Sequence, residues 1–281
     1  MEDVELLAPT IEEDRVTIIL DSNHPGSNDA DYVEQRCEIA TAAHLADGGE
    51  PPQIDYTDQD DRVWSEVLST LIRAQESSAS RVVIEGRRSL NLPVDRAVQL
   101  QQVSARLLHL SSYQMRATIG IAPAEQFFPA LGDSKFHAAQ FIRHYSSPFF
   151  SPDPDMIHEV VGHGSMLACP AIADMYRLIG AKAQCVSVPD LDRLARIFWY
   201  TMEVGVIWEH DRLKAYGGAL LSSSGELESF QSARICPLDA DEMQRTPLVP
   251  TKYQTKLFAA RSFVELREFL EECVGAIPDT R

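Results

Sequence analysis

The segment His158-Glu159-Val160-Val161-Gly162-His163 constrains this chain more than any other, because it sets two imidazoles five residues apart. On an ideal α-helix five steps turn about 500°, which leaves the two side chains about 140° apart. They reach one metal ion only where the helix ends or distorts near the second histidine, and Gly162 eases such a bend. A zinc peptidase instead needs histidines four apart on one helical face, with a glutamate as base. The wider gap argues against that chemistry and for a site at a helix end. Spacing alone leaves another reading open, two unrelated histidines on a buried helix.

A third candidate ligand lies about forty residues on, in Trp199-Tyr200-Thr201-Met202-Glu203. Pro189-Asp190 offers an N-terminal cap ahead of Leu191, Leu194, Ile197, Phe198 and Thr201, an apolar stripe at helical spacing. Trp199 and Glu203, four apart, share a face of that predicted helix. A carboxylate beneath an indole on an apolar helix is costly unless a positive group meets it. A metal ion is one such partner; Arg196 or another cation is the alternative. Two imidazoles and one carboxylate hold a non-haem iron(II) on one face and leave the other open for oxygen. The chain contains no His-x-Asp or His-x-Glu, which argues against the 2-oxoglutarate oxygenases.

Composition bounds the rest. The chain has 281 residues, 44% of them hydrophobic, enough for a sizeable core, with no internal repeat. Its net charge of −17 would be repelled by phosphate backbones, so no nucleic-acid partner is expected. No signal peptide and no membrane-spanning apolar run is evident. Five scattered cysteines without Cys-x-x-Cys read as reduced thiols in a cytoplasm, and Cys169 reads as packing rather than as a ligand. Helical periodicity covers residues 31–47, 60–75, 93–110, 168–180, 190–204 and 262–274, and Asp153 or Asp155 can cap the helix bearing the histidines. Residues 48–52 and 76–80 read as loops, 213–222 as a short strand, and 82–84 is too short to assign. The first dozen residues carry no periodic pattern. The expected layout is a flexible tail over 1–15 and one domain over 16–281, mostly α with small β elements.

Several segments, in order, resemble the pterin-dependent aromatic amino acid hydroxylases. Ser151 through His163 resembles their central motif, Phe198 through Gly205 the second, and Ala215 through Ser223 the third. Outlying matches are Asn23-His24-Pro25-Gly26 through Arg36, Tyr56-Thr57 with Trp64, and Gln140 through His144, so the resemblance spans roughly residues 20 to 270. It implies an aromatic amino acid hydroxylase-like catalytic domain in which His158, His163 and Glu203 bind iron(II). It assigns Arg143 to the substrate carboxylate, a task that suits a bidentate guanidinium. Ser151, Trp199 and Ser222 would lie beside the substrate. Phe127 would stack on a tetrahydropterin (tetrahydrobiopterin or a relative), with Gly120, Ala122 and Phe198 on the same site. Glu159 would sit near the pterin and take the catalytic part where oxygen, the co-substrate, is activated. Relatives from animals assemble through a C-terminal heptad tail that is not evident here, so a monomer or weak dimer is expected.

Departures from the family pattern cluster near the expected site. Gly164-Ser165 replaces a step ending in proline, which predicts a looser loop. Val204 stands where phenylalanine is usual and Ala219 where glycine is, so the resemblance places both beside the substrate ring. Phe198 lacks a hydroxyl that relatives carry. One or two methylenes in a pocket are worth about 1–3 kcal/mol of discrimination. The expected reaction is therefore conversion of L-phenylalanine to a tyrosine isomer, at the para or the meta carbon. Tryptophan or tyrosine as substrate, and a zinc-dependent hydrolase, are the alternatives.

Overall fold

The computed structural model describes residues 7–280. It is mostly helical, with three small sheets, and forms one domain.

The helix Asp58–Ser78 shows how the frame is specified. Thr57 and Asp60 form a reciprocal capping box at its start. Val63, Trp64, Val67, Leu68 and Leu71 then recur at helical spacing and are buried. The same inward face carries Gln75, whose amide donates to the Leu221 carbonyl at 2.8 Å. That bond ties this helix to the turn that carries Ser222.

The helices Ala124–Gly132 and Pro170–Ala183 pack backbone to backbone. A Cβ on Gly180 would overlap the backbone nitrogen of Gly132. The buried face of the second helix (Ile172, Ala173, Met175, Tyr176, Ile179) points into the core, so one phenol reaches the histidines. Beyond residue 203 the chain forms the hairpin Val206–Glu209 and Arg212–Ala215. Its two-residue turn, His210-Asp211, has both φ angles positive, as such tight hairpins need. Parallel strands Lys256–Ala260 and Arg234–Pro237 extend this sheet to four.

Several boundaries differ from the sequence reading. The helix expected over 93–110 begins at Leu100, because Pro93 accepts from the Trp64 indole and Ala97 donates to Asp61. Residues 76–78 belong to the preceding helix rather than to a loop, and 82–84 lie inside the helix Arg81–Leu90. The segment 213–222 is a strand only to Ala215 and turns helical over Gly218–Leu221. Of the expected tail, residues 1–6 lie outside the described residues. Thr10–Glu12 pairs with Arg15–Thr17, and Val16, fully buried, is held by a bond from its N–H to Thr41.

The Gly180 contact gives a test of the frame. Gly180→Ala should destabilise the protein by about 1–3 kcal/mol through overpacking, a fall in melting temperature of about 2–4 °C per kcal/mol. A calorimetric melt unchanged by this substitution would contradict the packing described.

Candidate active site

The three candidate ligands stand on two short π-helices, His158–Gly164 and Trp199–Glu203. Closing each turn from i to i+5 brings residues five apart nearly into line, so the histidine spacing that misfits an α-helix fits here. The second π-turn is closed by the Val204 N–H donating to the Trp199 carbonyl at 2.9 Å. The expected bend at a helix end is therefore a widened turn within a continuous helical segment. Gly162 serves close approach rather than flexibility, since a Cβ there would stand 2.5 Å from the Gly218 carbonyl oxygen. Nor is the segment after His163 loosened. Gly164 and Ser165 are buried, and the Ser165 hydroxyl donates to the Val161 carbonyl at 2.7 Å.

The ligand atoms converge. His158 Nε2 lies 3.1 Å from His163 Nε2, and Glu203 Oε2 lies 3.8 and 3.2 Å from them. Ligands about 2.1 Å from one ion and at right angles sit about 3 Å apart, so these spacings suit three positions on one face of a metal. Proton bookkeeping agrees. His158 Nδ1 bonds the Ser222 hydroxyl at 3.1 Å, and His163 Nδ1 bonds the Tyr176 hydroxyl at 2.8 Å. Each hydroxyl has an acceptor for its own proton, the Gly218 carbonyl at 2.9 Å and the Met166 sulfur at 3.4 Å. Both Nδ1 atoms thus donate, and both Nε2 atoms present lone pairs. Burial, then the neighbouring His163 imidazole, pushes His158 down to about 4, so it is neutral near pH 7. Burial raises the Glu203 carboxyl, but the neighbouring His163 and His158 outweigh it and hold it below the ordinary value. Glu203 Oε2 is buried and makes no hydrogen bond of acceptable geometry despite the nearby imidazole. Three acceptors facing one point need a cation, and the donor set fits iron(II).

Two cavities open on this triad, and His158, Trp199, Glu203 and Pro154 line both. The first is walled by Arg143, Ser151, Ala219 and Ser222, with residues 250–253 on its rim. Arg143 is fixed by the fully buried Asp155, which accepts from its Nε at 2.8 Å and one Nη at 2.7 Å. Asp155 also caps the π-helix, accepting from the His158 N–H at 3.1 Å. The Ser151 hydroxyl donates to the Asp153 carbonyl at 2.6 Å. The second cavity is walled by Gly120, Ala122, Phe127, Phe198 and Glu159, with His163 at its floor. Phe127 meets Phe128, Phe136 and Phe198 edge to face, and Phe198 stacks on His163. Burial pushes the Glu159 carboxyl well above its ordinary value, with the Ala139 N–H opposing it from 3.4 Å.

One expected site residue is misplaced by the sequence reading. Val204 lines neither cavity; it follows the closing residue of the second π-turn and packs into the core, 1% exposed. Its side chain therefore acts on the site only through packing. Tyr176, conversely, was not anticipated. A phenol on an otherwise apolar helical stripe was the available signal, since buried tyrosines need a hydroxyl partner. Burial pushes its phenol far up, so it stays protonated. Tyr176→Phe should weaken ferrous-ion binding by about tenfold or more through loss of ring orientation. Equilibrium titration under anaerobic conditions measures this, and unchanged affinity would remove Tyr176 from the site.

Residues 3–279 match the family described as biopterin-dependent aromatic amino acid hydroxylase. A phenylalanine 3-hydroxylase of Streptomyces coeruleorubidus is 37% identical over 259 residues, covering 92% of this chain and 91% of that protein. A chloroplastic phenylalanine 4-monooxygenase of Pinus taeda is 34% identical over 261 residues, covering 92% and 74%. The solved phenylalanine hydroxylase of Legionella pneumophila superposes with a TM-score of 0.75 at 28% identity, covering 82% of this chain and 91% of that one. The chain belongs to the biopterin-dependent aromatic amino acid hydroxylases.

Proposed function

We propose that the protein hydroxylates the ring of L-phenylalanine at the meta carbon, with His158, His163 and Glu203 as the ligands of iron(II). The observation that carries this reading is that two separate cavities meet at one three-acceptor cluster. One suits an amino acid and the other a flat heteroaromatic. The bound iron and reduced pterin together supply activation of molecular oxygen.

The protein's own groups hold and orient. Arg143, pinned by Asp155, offers its remaining guanidinium nitrogen to the substrate carboxylate. Trp199 and Pro154 flank the ring, and Ala219 adds a methyl to the same wall. Ser151 lies on that wall, while Ser222 keeps the His158 ring in its ligating tautomer. In the other cavity Phe127 and Phe198 present aromatic edges and faces to the pterin. The backbone at Gly120 and Ala122 borders it. Glu159, whose carboxyl burial holds well above its ordinary value, lines the same cavity as a hydrogen-bonding group for the pterin edge. The aromatic cluster behind His163 excludes water from the reacting face.

Meta over para is supported by the Streptomyces relative, which matches over nearly the full length of both chains. Ala219 at the substrate wall is the local residue with which to alter ring placement. A cytoplasmic setting is supported by five free cysteines. Among the described residues no helix is long and apolar enough to cross a membrane. The substrate is a small molecule, without nucleic acid.

Metal-free protein supplied with ferrous ion, tetrahydrobiopterin, oxygen and L-phenylalanine should yield meta-tyrosine, resolved from its isomers by chromatography. Para-tyrosine alone would overturn the meta assignment. Turnover of tryptophan or tyrosine but not phenylalanine would overturn the substrate. Zinc-restored hydrolysis without hydroxylation would overturn the reading altogether.

A further inference from the structure

An amino acid entering the first cavity carries two charges, and Arg143 answers only one. Taking the α-ammonium out of water is costly unless an anion meets it. The walls of that cavity carry three acids, Asp153, Glu203 and Glu226. Asp153 is already matched, with Arg36 at 2.7 Å and His24 at 3.6 Å. Glu203 faces the two imidazoles. Glu226 has no such partner. Among the described residues it enters no ion pair, and its carboxylate accepts a single hydrogen bond, from the Gln254 N–H at 3.1 Å.

We propose that Glu226 is the group that receives the α-ammonium of the substrate, the counterpart of Arg143 at the carboxylate. The inference rests on the amino-acid reading of this cavity. Glu226 stands on the helix Ser224–Ser229, just past Ser222, which holds the His158 ring. One wall segment thus reaches both the metal cluster and the substrate headgroup. Burial raises the Glu226 carboxyl, with the Gln254 N–H opposing it, as for an acid without a cationic partner. The Gln254 bond fixes one carboxylate oxygen and ties Glu226 to the rim segment 250–253. The acid is therefore positioned before a ligand arrives, which limits the ordering cost of binding.

A structural role for Glu226, anchoring the rim alone, is separable from ammonium recognition. Glu226→Gln keeps a carbonyl oxygen for the Gln254 N–H and removes the charge. Binding to iron-loaded protein is measured calorimetrically without oxygen for three ligands. L-phenylalanine carries both charges, 2-phenylethylamine only the ammonium, and 3-phenylpropanoate only the carboxylate. The variant should lose about tenfold or more in affinity for the first two, and bind 3-phenylpropanoate as the parent does or better. Equal weakening of all three would leave only a rim anchor and overturn the proposal, as would unchanged affinity for L-phenylalanine. A parent protein that prefers L-tryptophan or L-tyrosine would correct the ring assignment alone. The same three-way comparison with that ring then decides the part played by Glu226.

Discussion

The approach of two imidazole nitrogens to 3.1 Å, with a carboxylate oxygen beside them, is the constraint around which this domain is arranged. Left to itself such a cluster is unfavourable, because buried acceptors face one another without hydrogen atoms between them. The surrounding structure forces the approach. Each π-turn gives up some hydrogen-bond geometry to bring its side chains into line. The first is held by Gly218 pressed against Gly162, by the Ser165 hydroxyl on the Val161 carbonyl, and by Tyr176 from a neighbouring helix. A chain that only needed a core would use an α-helix at this point. A divalent ion held there would convert the repulsion into coordination.

The same cluster accounts for the chemistry of its neighbours. Two imidazoles presenting lone pairs and one carboxylate would carry a single negative charge against a divalent ion, and would leave the site positive. Hydroxyls rather than carboxylates orient the two rings, Ser222 on His158 and Tyr176 on His163. A hydroxyl fixes the tautomer without adding charge, whereas a carboxylate there would raise ligand basicity. Asp155 is spent elsewhere, joining Arg143 to the start of the first π-turn. Arg143 and His158 are thus linked through one buried acid.

The candidate cluster was legible in the chain, and its geometry was not. Types and spacing left unrelated histidines and a plain ion pair open, the resemblance singled out His158, His163 and Glu203, and the structure brings their ligand atoms within 4.8 Å of one another. Periodicity has no means of distinguishing a helix end from a π-turn, because the determinant is tertiary. Gly162 shows this most clearly. It was read as a source of bending, yet its lack of a side chain serves contact with a residue far along the sequence. The resemblance places Val204 beside the substrate ring, yet past the π-turn its side chain packs into the core, 1% exposed, and lines neither cavity. Helix 124–132 was missed because it is short and contains Pro129, and its stability comes from the crossing at Gly180. The hairpin at 10–17 was missed because only Val16 of its second strand is buried, too little to register as alternation.

The division between the two cavities follows from what each must hold. The cavity walled by Gly120, Ala122, Phe127 and Phe198 is dominated by aromatic rings and bare backbone, suited to a planar molecule recognised by stacking and edge contacts. The other is lined by charged groups and by Trp199, Pro154 and Ala219. A zwitterion held there would be anchored by its headgroup while its ring was confined only by shape. Anchoring would fix the distance from headgroup to metal, so small changes in wall volume would move the ring across the iron rather than out of the site. Regiochemistry in such an arrangement is a property of a few side-chain methyls, while the capacity to hydroxylate belongs to the cluster itself. The two can therefore vary independently, and a family that keeps its ligands can still diversify its products.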